Sequence, residues 1–166
     1  MNNAHISNFS GPGLEISGNN YYHNISSSIF HNCYYGVHIP SDADIQFDNC
    51  TFTHNERGVY VDSNSNLIIE ESVFSDNDGS GFHTSNSNNT YSIDNCDFTS
   101  NGYGINSNSY NTNELNEVRN SIFMNNESYA FYCGNSRNTD LINCKISNNQ
   151  SGIQYVDQVI NCIVNN

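Results

Sequence analysis

A motif of about two dozen residues repeats along most of this 166-residue chain. Each copy carries a large apolar residue, called the anchor below, and consecutive anchors lie 18 to 25 residues apart. The anchors are Phe30, Phe52, Phe74, Phe98, Phe123, Ile146 and Val164. Ser or Cys stands two residues before each anchor, and Asn usually stands three before it. Repeats of this length are typical of solenoids and propellers.

The apolar pattern inside one repeat favours strands. No segment keeps a 3.6-residue apolar period over 11 residues, which argues against helical repeats, and the Leu framework of a leucine-rich repeat is missing. Short runs such as CTF at 50–52 and GVYV at 58–61 alternate in character and are separated by Asn, Gly and Ser. They predict strands of about three to five residues joined by turns, three in each repeat.

The order of these features resembles a known family. The pattern is Ile-x-Asn-Cys-x-Phe, then Asn, then Gly-apolar-x-apolar, as in IDNCDFTSNGYGINS at 93–107. It resembles the right-handed parallel β-helix of the pectate-lyase-like superfamily, over roughly residues 20–166. The resemblance implies an all-β, right-handed, single-stranded parallel β-helix of about seven coils with three short strands each. Residues 1–166 then form one domain, with 1–20 as an irregular or partial first coil and an open C-terminal end.

On such a scaffold equivalent residues of successive coils stack on one another. Cys50, Phe52 and Val59 are expected to point inward, and Tyr60 outward, since strand side chains alternate. Asn49 is expected at a sharp bend, where Asn tolerates the left-handed conformation. We therefore expect inner ladders of Phe, of small residues and of the Asn in the Asn49 position. The six cysteines are expected to be mostly small buried thiols.

Charge and hydropathy exclude two classes of function. The formal net charge is −13, and the cationic residues are Arg57, Arg119, Arg137 and Lys145. Nucleic-acid binding needs a basic surface, so we expect no nucleic-acid partner. The same field would repel polyanionic glycans unless a divalent cation bridged them. No run of about 18 apolar residues occurs, so no membrane span is expected. The first residues lack the pattern of a signal peptide.

The outward residue of each Gly-apolar-x-apolar strand forms a candidate binding stripe. The stripe consists of Glu15, His38, Tyr60, His83, Asn106, Tyr132 and Gln154. Enzymes of the resembled superfamily usually place their glycan groove on this surface. Rings stacked at coil spacing make a flat ladder on which sugar rings can rest, although Tyr and His also favour exposed strand positions for packing alone. The predicted ligand-binding residues are His38, Tyr60, His83, Tyr132, Glu56 and Asp62.

Three functions remain open at this point. The first is a non-catalytic β-helix module of a surface, secreted or virion protein, binding a glycan or a partner along the flat face. The second is a polysaccharide lyase, epimerase or hydrolase, in which His38, Tyr60, His83 and Arg57 are candidates for base, acid and cation. The third is a self-stacking filament subunit or homo-oligomer, because open strand edges invite association.

A metal site is the remaining possibility. Asp76 and Asp78, in the turn SDNDGSG, are candidate calcium ligands, but their spacing misses the EF-hand pattern. A turn rich in Asp and Gly needs no metal to form. No cofactor is therefore predicted, with Ca²⁺ as the alternative.

Overall fold

The described part of the chain consists of short β-strands without a helix. The computed structural model describes residues 1–18, 21–85, 88–108, 115–134 and 138–165. The strands are β1 (His5–Ser7), β2 (Pro12–Glu15), β3 (Tyr22–Ser26), β4 (Ile29–His31), β5 (Tyr35–Ser41), β6 (Asp44–Asp48), β7 (Thr51–Thr53), β8 (Arg57–Ser63), β9 (Asn66–Glu70), β10 (Val73–Ser75), β11 (Ser80–Thr84), β12 (Thr90–Asp94), β13 (Asp97–Thr99), β14 (Tyr103–Ser107), β15 (Asn116–Arg119), β16 (Ile122–Met124), β17 (Tyr129–Cys133), β18 (Thr139–Ile142), β19 (Lys145–Ser147), β20 (Ser151–Gln154), β21 (Gln158–Ile160) and β22 (Ile163–Asn165).

These strands form three parallel sheets along one solenoid. Sheet 1 is β1-β4-β7-β10-β13-β16-β19-β22, sheet 2 is β2-β5-β8-β11-β14-β17-β20, and sheet 3 is β3-β6-β9-β12-β15-β18-β21. The chain visits the three sheets in turn, so every coil contributes one strand to each. The predicted all-β solenoid with three strands per coil is confirmed, and the strand numbers roughly match the predicted coil count. Regular strands already begin at β1, which pairs with β4, within the stretch expected to be irregular or partial.

The five phenylalanine anchors form a continuous column in the interior. Parallel pairing joins Phe30 to Phe52, Phe52 to Phe74, Phe74 to Phe98 and Phe98 to Phe123, all of them fully buried. Their ring centroids are 4.7 to 5.2 Å apart and the rings are nearly parallel. The separation matches the spacing of neighbouring strands, about 4.8 Å. The predicted stack of anchors is confirmed.

The inner Asn ladder lies at a different position from the one predicted. Asn49 does occupy a left-handed bend, with φ of 51°, but its side chain is exposed and the next residue, Cys50, faces the interior. The prediction of an inner ladder in that row is wrong, because the bend directs the Asn side chain to solvent. The buried ladder stands three residues after the anchors and consists of Asn55, Asn77, Asn101, Asn126 and Asn149.

From Asn55 to Asn126, each ladder Asn donates to its neighbour in the next coil from both its backbone N and its Nδ2 atom. The Oδ1 atom of Asn101 accepts from the backbone N of Asn77 at 3.1 Å and from its Nδ2 at 2.8 Å. The Nδ2 atom of Asn101 donates to the carbonyl oxygen of Phe74 at 2.9 Å. The ladder thereby satisfies buried backbone groups at the corner between sheets 1 and 2, which water cannot reach.

The three corners of the coil differ in how much their length varies. The turn from sheet 3 to sheet 1 is two residues long throughout, and the turn from sheet 1 to sheet 2 has three or four. The connection from sheet 2 to sheet 3 ranges from two residues, 64–65, to eight, 108–115. Most variation in repeat length therefore falls at this one corner.

Candidate ligand-binding face on sheet 2

Most strands of sheet 2 leave two side-chain positions partly exposed, whereas all five residues of β11 are buried. In β8, Arg57 and Tyr60 are partly exposed, whereas Gly58, Val59 and Val61 are buried. Two consecutive residues point inward because the chain turns the corner against the anchor column. A Cβ atom on Gly58 would lie 2.5 Å from the carbonyl oxygen of Gly81 and 3.0 Å from Cβ of Phe52. The glycine permits this close approach and so sets the two outward rows.

The second outward row is the predicted stripe. Parallel pairing places its members in register, coil after coil: Glu15, His38, Tyr60, His83, Asn106, Tyr132 and Gln154. Sequence reasoning missed the first row, which begins each strand and contains Pro12, Tyr35, Arg57, Ser80, Tyr103, Tyr129 and Ser151. Its signal in the sequence is the residue directly before the repeated Gly or Ala. Together the two rows form what we call the sheet 2 face.

Rings from both rows meet in an N-terminal aromatic cluster, made of Tyr35, His38, Tyr60 and His83 with Arg57. The Tyr60 ring centroid lies 4.7 Å from that of Tyr35 and 5.3 Å from those of His38 and His83. The guanidinium carbon of Arg57 lies 4.7 Å from the Tyr60 centroid and 5.6 Å from that of Tyr35. Such a cation–π contact holds the guanidinium on the rings. The four candidate catalytic residues are thus neighbours in space.

Two carboxylates bracket the imidazole of His38. Its Nδ1 atom is 3.2 Å from Oε2 of Glu15, and its Nε2 atom is 2.9 Å from Oδ2 of Asp62. The hydroxyl of Ser85 donates to the other oxygen of Asp62 at 3.0 Å. Burial opposes the ionisation of Asp62, but hydrogen bonds from His38, Tyr60 and Ser85 outweigh it and lower the pKa of this carboxyl. Asp62 is therefore an ionised hydrogen-bond acceptor at neutral pH.

His83 is the most buried polar group of the cluster, with 9% of its surface exposed. Burial and, next, the positive charge of Arg57 lower its pKa to about 4, although Asp62 acts in the opposite direction. The imidazole is accordingly neutral at pH 7 and has one nitrogen free to accept a proton or a hydrogen bond.

Tyr132 belongs to a second group of rings further along the sheet 2 face. Its ring centroid is 5.5 Å from that of Tyr129, 6.3 Å from Tyr103 and 6.2 Å from Tyr155. We call these four tyrosines the C-terminal aromatic cluster. In the pairing register Asn106 separates it from His83, so the structure does not bring Tyr132 together with the other predicted ligand-binding residues.

The remaining predicted residues lie in turns. Glu56 is in the turn before β8, next to Arg57, and its carbonyl oxygen accepts from the backbone N of Gly79 at 2.8 Å. Asp76 and Asp78 are in the turn before β11 and line a shallow pocket with His54, Asn77, Ser100 and Glu127. Within the ranges that the structure describes, no three His, Cys, Asp or Glu side chains are grouped so as to hold a metal ion.

Comparison with known proteins identifies the fold family. The family model described as the right-handed β-helix region matches residues 1–117, well over half of the chain. The chain belongs to the right-handed β-helix family. This membership agrees with the resemblance to the pectate-lyase-like superfamily, and the β-helix is right-handed as in the family. Among curated proteins and among solved structures, none is significantly similar to this β-helix. Across its described residues, no helix has the length and apolar character to cross a membrane.

Proposed function

We propose that this β-helix is a non-catalytic module of a surface, secreted or virion protein, and that it binds a polysaccharide along the sheet 2 face. The observation that carries the proposal is the alignment of two aromatic clusters on one flat sheet. The strands are parallel and in register, so the rings are spaced along the solenoid axis. A polysaccharide lying across the strands would meet both clusters with consecutive sugars.

The polar groups of the face suit sugar hydroxyls. Asp62 and Glu15 are acceptors, Arg57 is a donor, and neutral His83 and Asn106 offer further hydrogen-bonding atoms between the rings. Binding sites of this kind combine apolar contact area with a few polar groups that fix orientation. The outward rows are also held rigidly, because the strands from β5 to β17 are each paired on both sides. Such a surface needs little ordering when a ligand binds.

An enzyme of the same fold is the second candidate, and His83 favours it. Its neutral imidazole and the guanidinium of Arg57 are the types of group that proton abstraction next to a uronic carboxylate uses, but a pKa of about 4 makes this imidazole a weak base. Hydrolysis is less well supported, because it needs an acid and a base or nucleophile on opposite sides of the scissile bond. The two carboxylates that border the N-terminal aromatic cluster, Glu15 and Asp62, instead contact the same imidazole.

A polysaccharide array with product analysis tests the proposal. We expect binding without any change in the polysaccharide. Binding should be about two- to tenfold weaker in Tyr60→Ala and in Tyr132→Ala, since stacking contributes about 0.5–1.5 kcal/mol. Tyr22→Ala is the matched control, because Tyr22 is an exposed ring on sheet 3. Binding that survives both sheet 2 variants would refute the proposal. Product that disappears in His83→Gln would establish the enzyme instead.

Self-stacking into filaments stays a prediction. The strands β21 and β22 expose Val159, Ile163 and Val164, at 46%, 58% and 48% of their surfaces. Light scattering of the concentrated protein tests this, and a particle mass that stays at 18.6 kDa would exclude it.

A further inference from the structure

We infer that the polysaccharide bound by the sheet 2 face is uncharged rather than a polyuronate. The inference rests on the proposed function and narrows it to a class of ligand. Its basis is the placement of the ionised groups on the face, which the sequence alone does not fix.

The N-terminal aromatic cluster is bordered by carboxylates. The side chain of Glu15 is 55% exposed and that of Asp62 is 29% exposed, so both present negative charge to a ligand on the rings. Glu56 adds a third carboxylate in the turn beside Arg57. A polyuronate carries a carboxylate on every sugar. Where such a chain crosses the N-terminal aromatic cluster, its carboxylates approach those of Glu15 and Asp62, and like charges repel.

Cations on the face are too few to compensate. Of the described residues on the sheet 2 face, Arg57 is the one Lys or Arg, and His38 can offset at most one of the two carboxylates that it contacts. Arg119 belongs to sheet 3, where its Nη2 atom is 2.7 Å from Oε1 of Glu117, and Lys145 belongs to sheet 1. A single guanidinium cannot balance a carboxylate on each successive sugar, and the net charge of −13 adds long-range repulsion.

The same groups fit a neutral polysaccharide well. Hydroxyls donate to carboxylates and accept from a guanidinium, so Asp62, Glu15 and Arg57 can all bind hydroxyls without opposing charge. The C-terminal aromatic cluster is made of tyrosines alone, whose ring faces and phenol groups bind sugars without any requirement for charge. The N-terminal aromatic cluster therefore selects a neutral ligand, and the C-terminal aromatic cluster is compatible with it.

The test compares neutral and acidic polysaccharides on the intact protein. Glucan, xylan and mannan are the neutral probes, and polygalacturonate and alginate are the acidic ones, each measured at low and physiological salt. We expect the tightest neutral probe to bind at least about tenfold more tightly than either polyuronate at low salt, where repulsion is least screened. Added CaCl₂ and added chelator form separate arms, because a bridging divalent cation would mask the repulsion. The inference is overturned if, in the presence of chelator, a polyuronate binds as tightly as the neutral probes.

Charge-neutralising variants show which carboxylates cause the discrimination against polyuronates. Glu15→Gln, and Glu15→Gln combined with Asp62→Asn, should reduce the discrimination against polyuronates at least about threefold. The matched control is Glu71→Gln combined with Asp97→Asn, which removes the same charge from exposed positions off the sheet 2 face. Equal changes in both double variants would contradict the placement argument. Polyuronate binding that is as tight as that of the neutral probes and is lost in Tyr60→Ala would overturn this inference yet leave the proposed function standing. No binding to any probe would overturn both.

Discussion

Replacing Asn101 with alanine should cost about 3–5 kcal/mol in the free energy of unfolding. Asn101 is fully buried in the middle of the Asn ladder. Its loss leaves the backbone N–H of Asn77 without its acceptor, which costs about 1–3 kcal/mol for a buried donor. The carbonyl of Phe74 loses the donor Nδ2, and the side-chain bonds to Asn77 and Asn126 disappear, at about 0.5–1.5 kcal/mol each.

Part of the ladder survives the substitution, which limits the cost. The Nδ2 atom of Asn77 still donates to the carbonyl of Phe52 at 3.1 Å. The Oδ1 atom of Asn126 still accepts from the backbone N of residue 101, a bond of 3.0 Å that alanine retains. The expected loss is nevertheless a large fraction of the stability of a small domain, about 5–15 kcal/mol.

Urea unfolding followed by far-ultraviolet circular dichroism measures the loss, with tyrosine fluorescence as a second probe because the chain has no Trp. The matched control is Asn66→Ala. The amide of Asn66 donates to Asp44 at 2.7 Å on the exposed surface of sheet 3, so its loss should cost less than about 1 kcal/mol. If the two variants lose stability equally, the buried ladder does not stabilise the coils in the way argued here.

Three further predictions concern the core and the titrating groups. Phe98→Ala removes a fully buried ring from the anchor column and should cost about 3–5 kcal/mol in thermal or urea unfolding, and an unchanged transition would contradict the stacking. Burial raises the pKa of Cys96 to about 12 and that of Cys144 to about 11. Iodoacetamide at pH 8 should therefore label the half-buried Cys162 first. Rapid labelling of Cys96, detected by mass spectrometry, would refute this prediction. The folded pKa of His83, about 4, lies below the ordinary value of 6.5, so the unfolded chain binds the extra proton and stability falls as pH drops from about 6.5 to 4. In His83→Gln this part of the pH dependence should be lost, and a profile identical to that of the unsubstituted protein would show that His83 does not cause it.

The fold was predictable because the spacing of inward-facing residues in each repeat follows from the geometry of the coil. The turn from sheet 3 to sheet 1 always has two residues, so the spacing from Phe47 through Cys50 to Phe52 recurs without change and reveals the stack. The Asn ladder was misplaced because Asn stands both before and after the anchor. Only the path of the chain distinguishes Asn49, whose bend faces solvent, from Asn55, which is 1% exposed.

The candidate site was predictable in one row and hidden in the other. Alternation along β8 correctly assigns Tyr60 to the surface. It fails at Gly58, because Gly58 and Val59 both point inward, and a strict period of two would turn the residue before the glycine inward as well. Tyr35 and Tyr103 were missed for this reason, and Arg57 was named as a candidate without its place in this row. The contact of His38 with both carboxylates was equally hidden, because it joins three successive coils and depends on side-chain direction. Sequence spacing specifies which residues are paired, but it does not specify how far each side chain leans toward its neighbours.

The corner between sheets 2 and 3 makes this protein extensible. Connections of two, five and eight residues already occur there, while the paired strands on either side keep their register. A foreign peptide inserted between β14 and β15 would lie outside the sheets and leave the pairing of the strands intact. The paired strands thus stabilise the fold, whereas the connection between sheets 2 and 3 can vary in length. Insertions at this corner therefore leave the fold unchanged.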